Sequence, residues 1–155
     1  MPAEIERKYL VTGSEWSDAS APSVQIRQAY IANTPLASVR VRIKGTTSAF
    51  LTIKGADAAL SRAEVETAIT VAQAEELLTM RQGAVIEKSR FRVPFGGLMW
   101  EIDVFEGENA GLIIAEVEVP TADHAVELPP WVGQEVTGDA RYYNANLASD
   151  PIRGA

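Results

Sequence analysis

The stretch SVRVRIK, residues 38–44, alternates apolar and basic residues with a period of two. This period is typical of a β-strand, because successive side chains point to opposite faces of a sheet. It places Arg40, Arg42 and Lys44 on one face and three β-branched residues on the other. Like charges about 7 Å apart on one strand are destabilising unless opposite charges or bound ions face them. The stretch therefore predicts a strand whose charged face looks at a partner of opposite charge.

The same alternation recurs along the chain, and most of these segments carry one dominant sign of charge. Predicted strands cover residues 3–11, 24–31, 38–44, 49–54, 62–70, 85–94, 98–105 and 112–119. The acidic residues that share a strand face are Glu4 with Glu6, Glu64 with Glu66, Glu101 with Asp103, and Glu116 with Glu118. The basic residues on matching faces are Lys8, Arg40, Arg42, Lys54, Lys88 and Arg90. The two signs of charge compensate each other if these faces meet across a closed sheet.

Three other segments favour helices. Residues 71–81 follow a capping box formed by Thr70 and Gln73 and carry an apolar stripe. Shorter helices are predicted over residues 122–127 and 139–148. These helices can cover the apolar outer faces of the strands.

These elements predict one α+β domain over residues 1–155. Its centre is an eight-stranded antiparallel closed β-barrel with a charged lumen and flanking helices. This arrangement inverts the usual small barrel, whose interior is apolar.

Composition excludes several classes of protein. The chain has 155 residues, a net charge of −7 and no cysteine, so it has neither disulfides nor a thiol nucleophile. No apolar run approaches the ~20 residues of a membrane span, and the first residues resemble no signal peptide. We therefore expect a cytoplasmic protein without a membrane or nucleic-acid partner. Whether it is a monomer or a homodimer stays open.

The charged residue types point to a chemistry. Carboxylates without histidine or cysteine suit hard cations, which favours Mg²⁺ or Mn²⁺. Arginine and lysine facing them suit phosphate, and cations spread over several strands suit an extended polyphosphate. The predicted lumen holds two more carboxylates than bases, and about two divalent ions would reverse that balance. The pattern thus indicates metal-assisted phosphoryl transfer.

Several short motifs follow one another along the chain. The N-terminal motif is EIERK, residues 4–8. The other motifs are VRVR (39–42), LTIK (51–54), EVE (64–66), EKSR (87–90), EID (101–103), EVE (116–118), EVT (135–137) and RYYN (141–144). Together they resemble the motifs of the CYTH superfamily, the triphosphate tunnel metalloenzymes. The resemblance implies a tunnel with acidic and basic walls and metal-dependent attack on a triphosphate. One departure is Ala140, where short relatives often carry lysine.

The resemblance also implies residue roles. The metal ligands would be Glu4, Glu6 and Glu118, with Glu116 and Asp103 close by. The phosphates would contact Lys8, Arg40, Arg42, Lys54, Lys88 and Arg90. Catalytic groups would be Lys88, Arg90, Glu64, Glu66 and Asp103, the three carboxylates being alternatives for a second ion that orients water.

The activity expected is hydrolysis of inorganic tripolyphosphate to pyrophosphate and phosphate, with a small-molecule triphosphate as the partner. Class IV adenylyl cyclase and thiamine or nucleoside triphosphatase stay open as alternatives, because the resemblance covers them too. A polyphosphate-binding barrel without turnover is the non-enzymatic alternative. It does not explain the acidic pairs, since carboxylates repel phosphate unless a cation intervenes.

Overall fold

The protein folds around one antiparallel sheet. The computed structural model describes residues 5–19, 22–55, 63–121 and 123–152. The strands are β1 (Ile5–Val11), β2 (Val24–Asn33), β3 (Ala37–Lys44), β4 (Ser48–Gly55), β5 (Glu64–Ile69), β6 (Gln82–Phe95), β7 (Leu98–Glu106), β8 (Ile113–Val119) and β9 (Val132–Glu135). They lie in the order β5-β4-β3-β2-β6-β7-β8-β1-β9. The helices are α1 (Val71–Leu78) and α2 (Asn144–Ser149), and the 3-10 turns are Glu15–Ala19, Gly107–Asn109 and Ala140–Tyr142.

Short hairpins join most neighbouring strands, and the tightest joins β6 to β7. Phe95 pairs with Leu98 across this turn. The two residues between them, Gly96 and Gly97, have φ angles of 62° and 79°. Two consecutive positive φ angles are tolerated best by glycine and match the right-handed twist of the flanking strands.

The outer face of the sheet is apolar, as the alternation predicts. On β3, Val41 and Ile43 are buried, and they pack with Leu78 of α1. The capping box of Thr70 and Gln73 forms and fixes the start of this helix. Helix α1 therefore covers the outer face behind the basic wall.

A second apolar cluster covers the outer face behind the acidic strands. Trp100 of β7 is fully buried and contacts Tyr9 of β1 and Trp131. Trp16, in the first 3-10 turn, packs on Phe91 of β6. Three tryptophans thus hold this part of the sheet from outside.

The inner face is charged along most of its length and apolar at one end. There, Leu147 of α2 is fully buried against Ile86, Phe105 and Ile114. These three side chains follow the same alternation as the charged residues on β6, β7 and β8. Helix α2 therefore fills one end of the inner face and leaves the charged part open.

The α+β fold class is confirmed, and the described residues form nine strands where the sequence predicts eight. The prediction missed β9, a four-residue strand that pairs with β1 between Tyr9 and Glu135. Such a segment is too short to show a clear alternation. Within the described residues, β5 and β9 are the two edges, and no ladder joins them.

Two helix predictions need correction. The part of the 122–127 segment that is described, residues 123–127, has no helix. A stretch this short forms a helix only with strong tertiary packing. The predicted helix over 139–148 is interrupted at Tyr143, whose extended backbone (ψ 136°) separates a 3-10 turn from α2.

No helix in the described ranges is long and apolar enough to cross a membrane.

Candidate functional site

The inner face of the sheet surrounds a cavity of about 850 Å³. Its lining comes from the edge strand β5, from β1 on the other side, and from strands between them. The charged lining residues are Glu6, Lys8, Arg40, Arg42, Lys54, Glu64, Glu66, Arg90, Glu101, Glu116 and Glu118. Most of the predicted site residues therefore meet in one cavity.

The basic wall is built by β3 with its neighbours. The Arg40 guanidinium donates to Thr52 Oγ1 at 3.4 Å, and the Thr52 hydroxyl donates to Glu66 Oε2 at 2.9 Å. Burial and the neighbouring Arg40 and Arg90 lower the pKa of Arg42 to about 10. Three guanidinium groups thus lie close enough to repel one another, which favours an anion between them.

The two acidic residues of β5 lie against this basic wall. Glu66 Oε2 is 4.0 Å from Arg40, and Glu64 Oε1 is 3.8 Å from Lys54 Nζ. About half of each carboxylate side chain is exposed, so both are accessible from the cavity.

A buried ion network lies behind the cavity wall. Asp103 accepts two hydrogen bonds from Arg90, at 2.8 and 2.9 Å, and lies 2.9 Å from Lys88 Nζ. Although burial alone would raise the pKa of Asp103, Lys88 and Arg90 hold it well below its usual range. Lys88 is fully buried and also donates to Asn144 Oδ1 at 3.3 Å. Of these, Arg90 and Asn144 line the cavity, whereas Lys88 and Asp103 support it from behind.

The acidic wall is formed by β1, β8 and β7. The register pairs Glu6 with Glu118 and sets Glu116 between Lys8 and Glu101. Lys8 Nζ is 3.7 Å from Glu116 Oε1. A smaller cavity of about 270 Å³ continues past these carboxylates to Arg92 and Met99.

Glu6 carries the clearest electrostatic signal of this wall. Its side chain is exposed and lies among the groups that line the cavity. Burial and the adjacent Glu116 carboxylate raise the pKa of Glu6 to about 7. Adjacent carboxylates that repel each other in this way suit a divalent cation, which would offset their negative charge.

The predicted metal set is incompletely assembled in the described part of the chain. No three carboxylates there approach one another closely enough to hold an ion as they stand. Glu4, which the prediction includes, lies outside the described residues. The donor chemistry of Glu6, Glu116 and Glu118 nevertheless fits a hard cation, because all donors are carboxylate oxygens.

Sequence reasoning missed several residues of the site. Thr52 and Gln28 lie on the inner faces of their strands, so the period of two could have found them. Tyr143 and Asn144 belong to the RYYN motif and reach the cavity from the C-terminal segment, although the residue roles predicted from the sequence do not include them. The Tyr143 ring lies 5.7 Å from Lys8 Nζ. Ala140 is in the preceding 3-10 turn and does not line the cavity.

These features define a class of protein: an antiparallel sheet wrapped around a cavity with opposed acidic and basic walls. Such walls suit a polyanion that binds together with divalent cations. The chain belongs to the CYTH domain family, whose profile matches residues 2–148.

Relatives of known name share this chain's length. An inorganic triphosphatase of Acetivibrio thermocellus is 43% identical over 99% of this chain and 97% of its own. An inorganic triphosphatase of Nitrosomonas europaea is 41% identical over 94% and 96%, respectively. A crystal structure of an inorganic triphosphatase superposes with a TM-score of 0.77 at 37% identity, covering 99% of both chains. The family and the fold are therefore established for this chain.

Proposed function

We propose that this protein is an inorganic triphosphatase that hydrolyses tripolyphosphate to pyrophosphate and phosphate, with Mg²⁺ or Mn²⁺ as cofactor. The observation that carries the proposal is the single cavity in which Arg40, Arg42 and Arg90 face a wall of glutamates. Two relatives of nearly the same length are named inorganic triphosphatase, which supports the same activity.

The cavity lining favours an inorganic substrate over a nucleotide. Among the described lining residues, the aromatic side chains are Tyr30 and Tyr143, and the others are charged, polar or small. A purine or thiazolium ring is normally held by a broader apolar surface. The described lining supplies mainly charges and hydrogen bonds, which are what a bare triphosphate needs.

Arginine and lysine of the cavity would bind the phosphates. Arg40, Arg42 and Lys54 approach from one side, and Lys8 and Arg90 from the other strands. Arg90 is held by two parallel hydrogen bonds to Asp103, so its orientation is set before substrate arrives. A guanidinium fixed in this way can stabilise the charge that develops during phosphoryl transfer.

We assign Asp103 and Lys88 to support of Arg90 instead of direct contact with metal or substrate. Both Asp103 oxygens accept hydrogen bonds from buried or half-buried cations, which leaves them poorly placed for an additional ion. Lys88 is fully buried beneath Asn144 and Phe105. Their electrostatic effect on the reaction would pass through Arg90 and the cavity wall.

We place the metal ligands on the acidic wall, at Glu6, Glu116 and Glu118, joined by Glu4. When bound there, a divalent cation would neutralise phosphate oxygens and lower the pKa of a coordinated water. Glu64 and Glu66 are the candidates for a second ion, because they border the same cavity and are half exposed.

Phosphate release tests the proposal. Purified protein is incubated with tripolyphosphate, ATP or thiamine triphosphate, each with Mg²⁺, Mn²⁺ or EDTA, and phosphate, pyrophosphate and cyclic AMP are measured. We expect turnover of tripolyphosphate that far exceeds that of the other substrates and that disappears in EDTA. Cyclic AMP from ATP would show a cyclase, and no turnover of any substrate would favour a binding protein.

Matched variants distinguish the effect of a cavity glutamate from that of a glutamate on the outer surface. Glu6→Gln is expected to reduce turnover at least 100-fold, since it removes a charged ligand without changing size. Glu76→Gln changes an exposed glutamate on the outside of α1 and is expected to keep the parent rate. Full activity of Glu6→Gln in Mg²⁺ would contradict the assigned metal site.

A further inference from the structure

Gln28 is a fully buried polar residue next to the basic wall. It lies on the inner face of β2, opposite Arg42 of β3 and Ile86 of β6, and is 0% exposed. Its Oε1 accepts a hydrogen bond of 2.6 Å from Arg42 Nε. It does not line the cavity, so it would act on a ligand only through Arg42.

The orientation of the Gln28 amide is fixed by chemistry. An arginine side chain has only donors, so the atom that faces Arg42 Nε must be the amide oxygen. The Gln28 Nε2 group then points away from Arg42, and within the described residues it has no hydrogen-bond partner. A buried amide with an unpaired NH₂ group lowers the stability of the fold. Gln28 therefore lowers the free energy of unfolding relative to an apolar residue of similar length.

Arg42 depends on this contact. No carboxylate in the described ranges lies within ion-pair distance of Arg42, whereas Arg40 has one such carboxylate and Arg90 has two. Arg42 is also repelled by both of these guanidinium groups. A neutral acceptor can hold Nε and leave the positive charge of Arg42 uncompensated. The two terminal nitrogens then stay free to donate a pair of hydrogen bonds to an anion.

We propose that Gln28 is a positioning residue that orients Arg42 toward the phosphates of the substrate without neutralising its charge. The inference rests on the proposed triphosphatase function. It explains why a residue that weakens the fold lies at this position. Its substrate class is a linear inorganic polyphosphate, because the group that it orients binds phosphate oxygens.

The test compares Gln28→Met with the parent. Methionine has a similar length but neither accepts from Arg42 nor leaves an unpaired NH₂ group. We expect the KM for tripolyphosphate to rise about tenfold, as for loss of a hydrogen bond to a charged group. The Kd for tripolyphosphate, measured by calorimetry in EDTA, should rise by a similar factor. The Tm should stay the same or increase, which a merely structural role would not produce.

Two further variants make the test specific. Gln25→Met changes an exposed glutamine on the same strand and is expected to match the parent in KM and Kd. In an Arg42→Met background, Gln28→Met should have no further effect, since methionine offers the amide oxygen no N–H donor.

The inference is overturned if Gln28→Met binds and hydrolyses tripolyphosphate within twofold of the parent. It is also overturned if the tenfold loss persists in the Arg42→Met background or comes with a Tm decrease of several degrees. If the parent binds tripolyphosphate without hydrolysing it, the proposed function fails while the Kd comparison still tests Gln28. A parent that binds tripolyphosphate neither in EDTA nor in the presence of Mg²⁺ overturns both.

Discussion

Removal of the Asp103 charge should lower stability strongly. Asp103→Asn keeps the size of the side chain but leaves Lys88, which is fully buried, without a counter-charge. Breaking a buried ion pair by removing one partner costs about 3–5 kcal/mol of the free energy of unfolding. For a chain of this size, that corresponds to a Tm decrease of roughly 10 °C.

The same contacts determine how the stability that Asp103 contributes depends on pH. Lys88 and Arg90 keep the pKa of Asp103 below its usual value of 3.8 in the folded protein. The folded carboxylate therefore stays charged where the unfolded one takes up a proton. The stabilisation is fully present above pH 3.8 and is lost as the pH falls through the lower folded pKa. The difference between parent and Asp103→Asn should consequently be largest at neutral pH.

Urea unfolding at pH 7 in EDTA measures the effect. The matched control is Glu101→Gln, whose carboxylate is 3.6 Å from Arg90 but 35% exposed. Exposed pairs contribute at most about 1 kcal/mol, so this control should stay close to the parent. Equal unfolding midpoints for Asp103→Asn and Glu101→Gln would refute the reasoning.

A double variant tests the cause of the loss. Asp103→Leu combined with Lys88→Met removes both fully buried charges and should be more stable than Asp103→Asn, because no fully buried charge is left without a partner. Its activity should stay low, since Arg90 has lost the acceptor that orients it. Restored activity in the double variant would mean that Asp103 does not act through Arg90.

Two other predictions concern the acidic wall and the C-terminal helix. In EDTA, Glu6→Gln should gain stability over the parent as the pH rises from 4.5 to about 7, because the folded Glu6 retains a proton that the unfolded chain releases. Thermal melts across this range check it, and a constant difference from pH 4 to 8 would contradict it. Leu147→Ala should lower the free energy of unfolding, measured in urea, by about 2–5 kcal/mol, since Leu147 is fully buried at the apolar end of the inner face. The exposed Leu36→Ala is its control, and a loss equal to that of the control would contradict the packing.

Much of the fold was predictable because one physical signal repeats. Alternation with a period of two placed Arg40, Glu64 and Glu116 on one face of the sheet, and the structure brings all three into one cavity. The signal is strong where a strand has one charged and one apolar face. It says nothing about whether the edges of the sheet meet, and the nine-stranded order with edges at β5 and β9 required the structure.

The rest of the site depends on contacts between distant parts of the chain. Asn144 meets Lys88 across 56 positions, and the Thr137 hydroxyl accepts from the Lys8 backbone amide across 129. No local pattern encodes such pairs. The sequence also does not show how deeply a charged side chain is buried. Lys88 and Arg90 share a strand face, but only Arg90 lines the cavity. Sequence reasoning therefore identified the charged face but not which of its members support the others.

The pairing of charges within the cavity bears on what it binds. Asp103 compensates the positive charge of Arg90. Arg42 instead donates to a neutral amide and lies near two other guanidinium groups. On the opposite wall, the raised pKa of Glu6 beside Glu116 marks excess negative charge. Excess positive charge thus lies toward β3, and excess negative charge toward β1 and β8. A polyanion alone would compensate only the excess positive charge toward β3. A divalent cation alone would compensate only the excess negative charge toward β1 and β8. A polyphosphate that arrives with a divalent cation would satisfy both, and the proposed function therefore does not conflict with the net charge of −7.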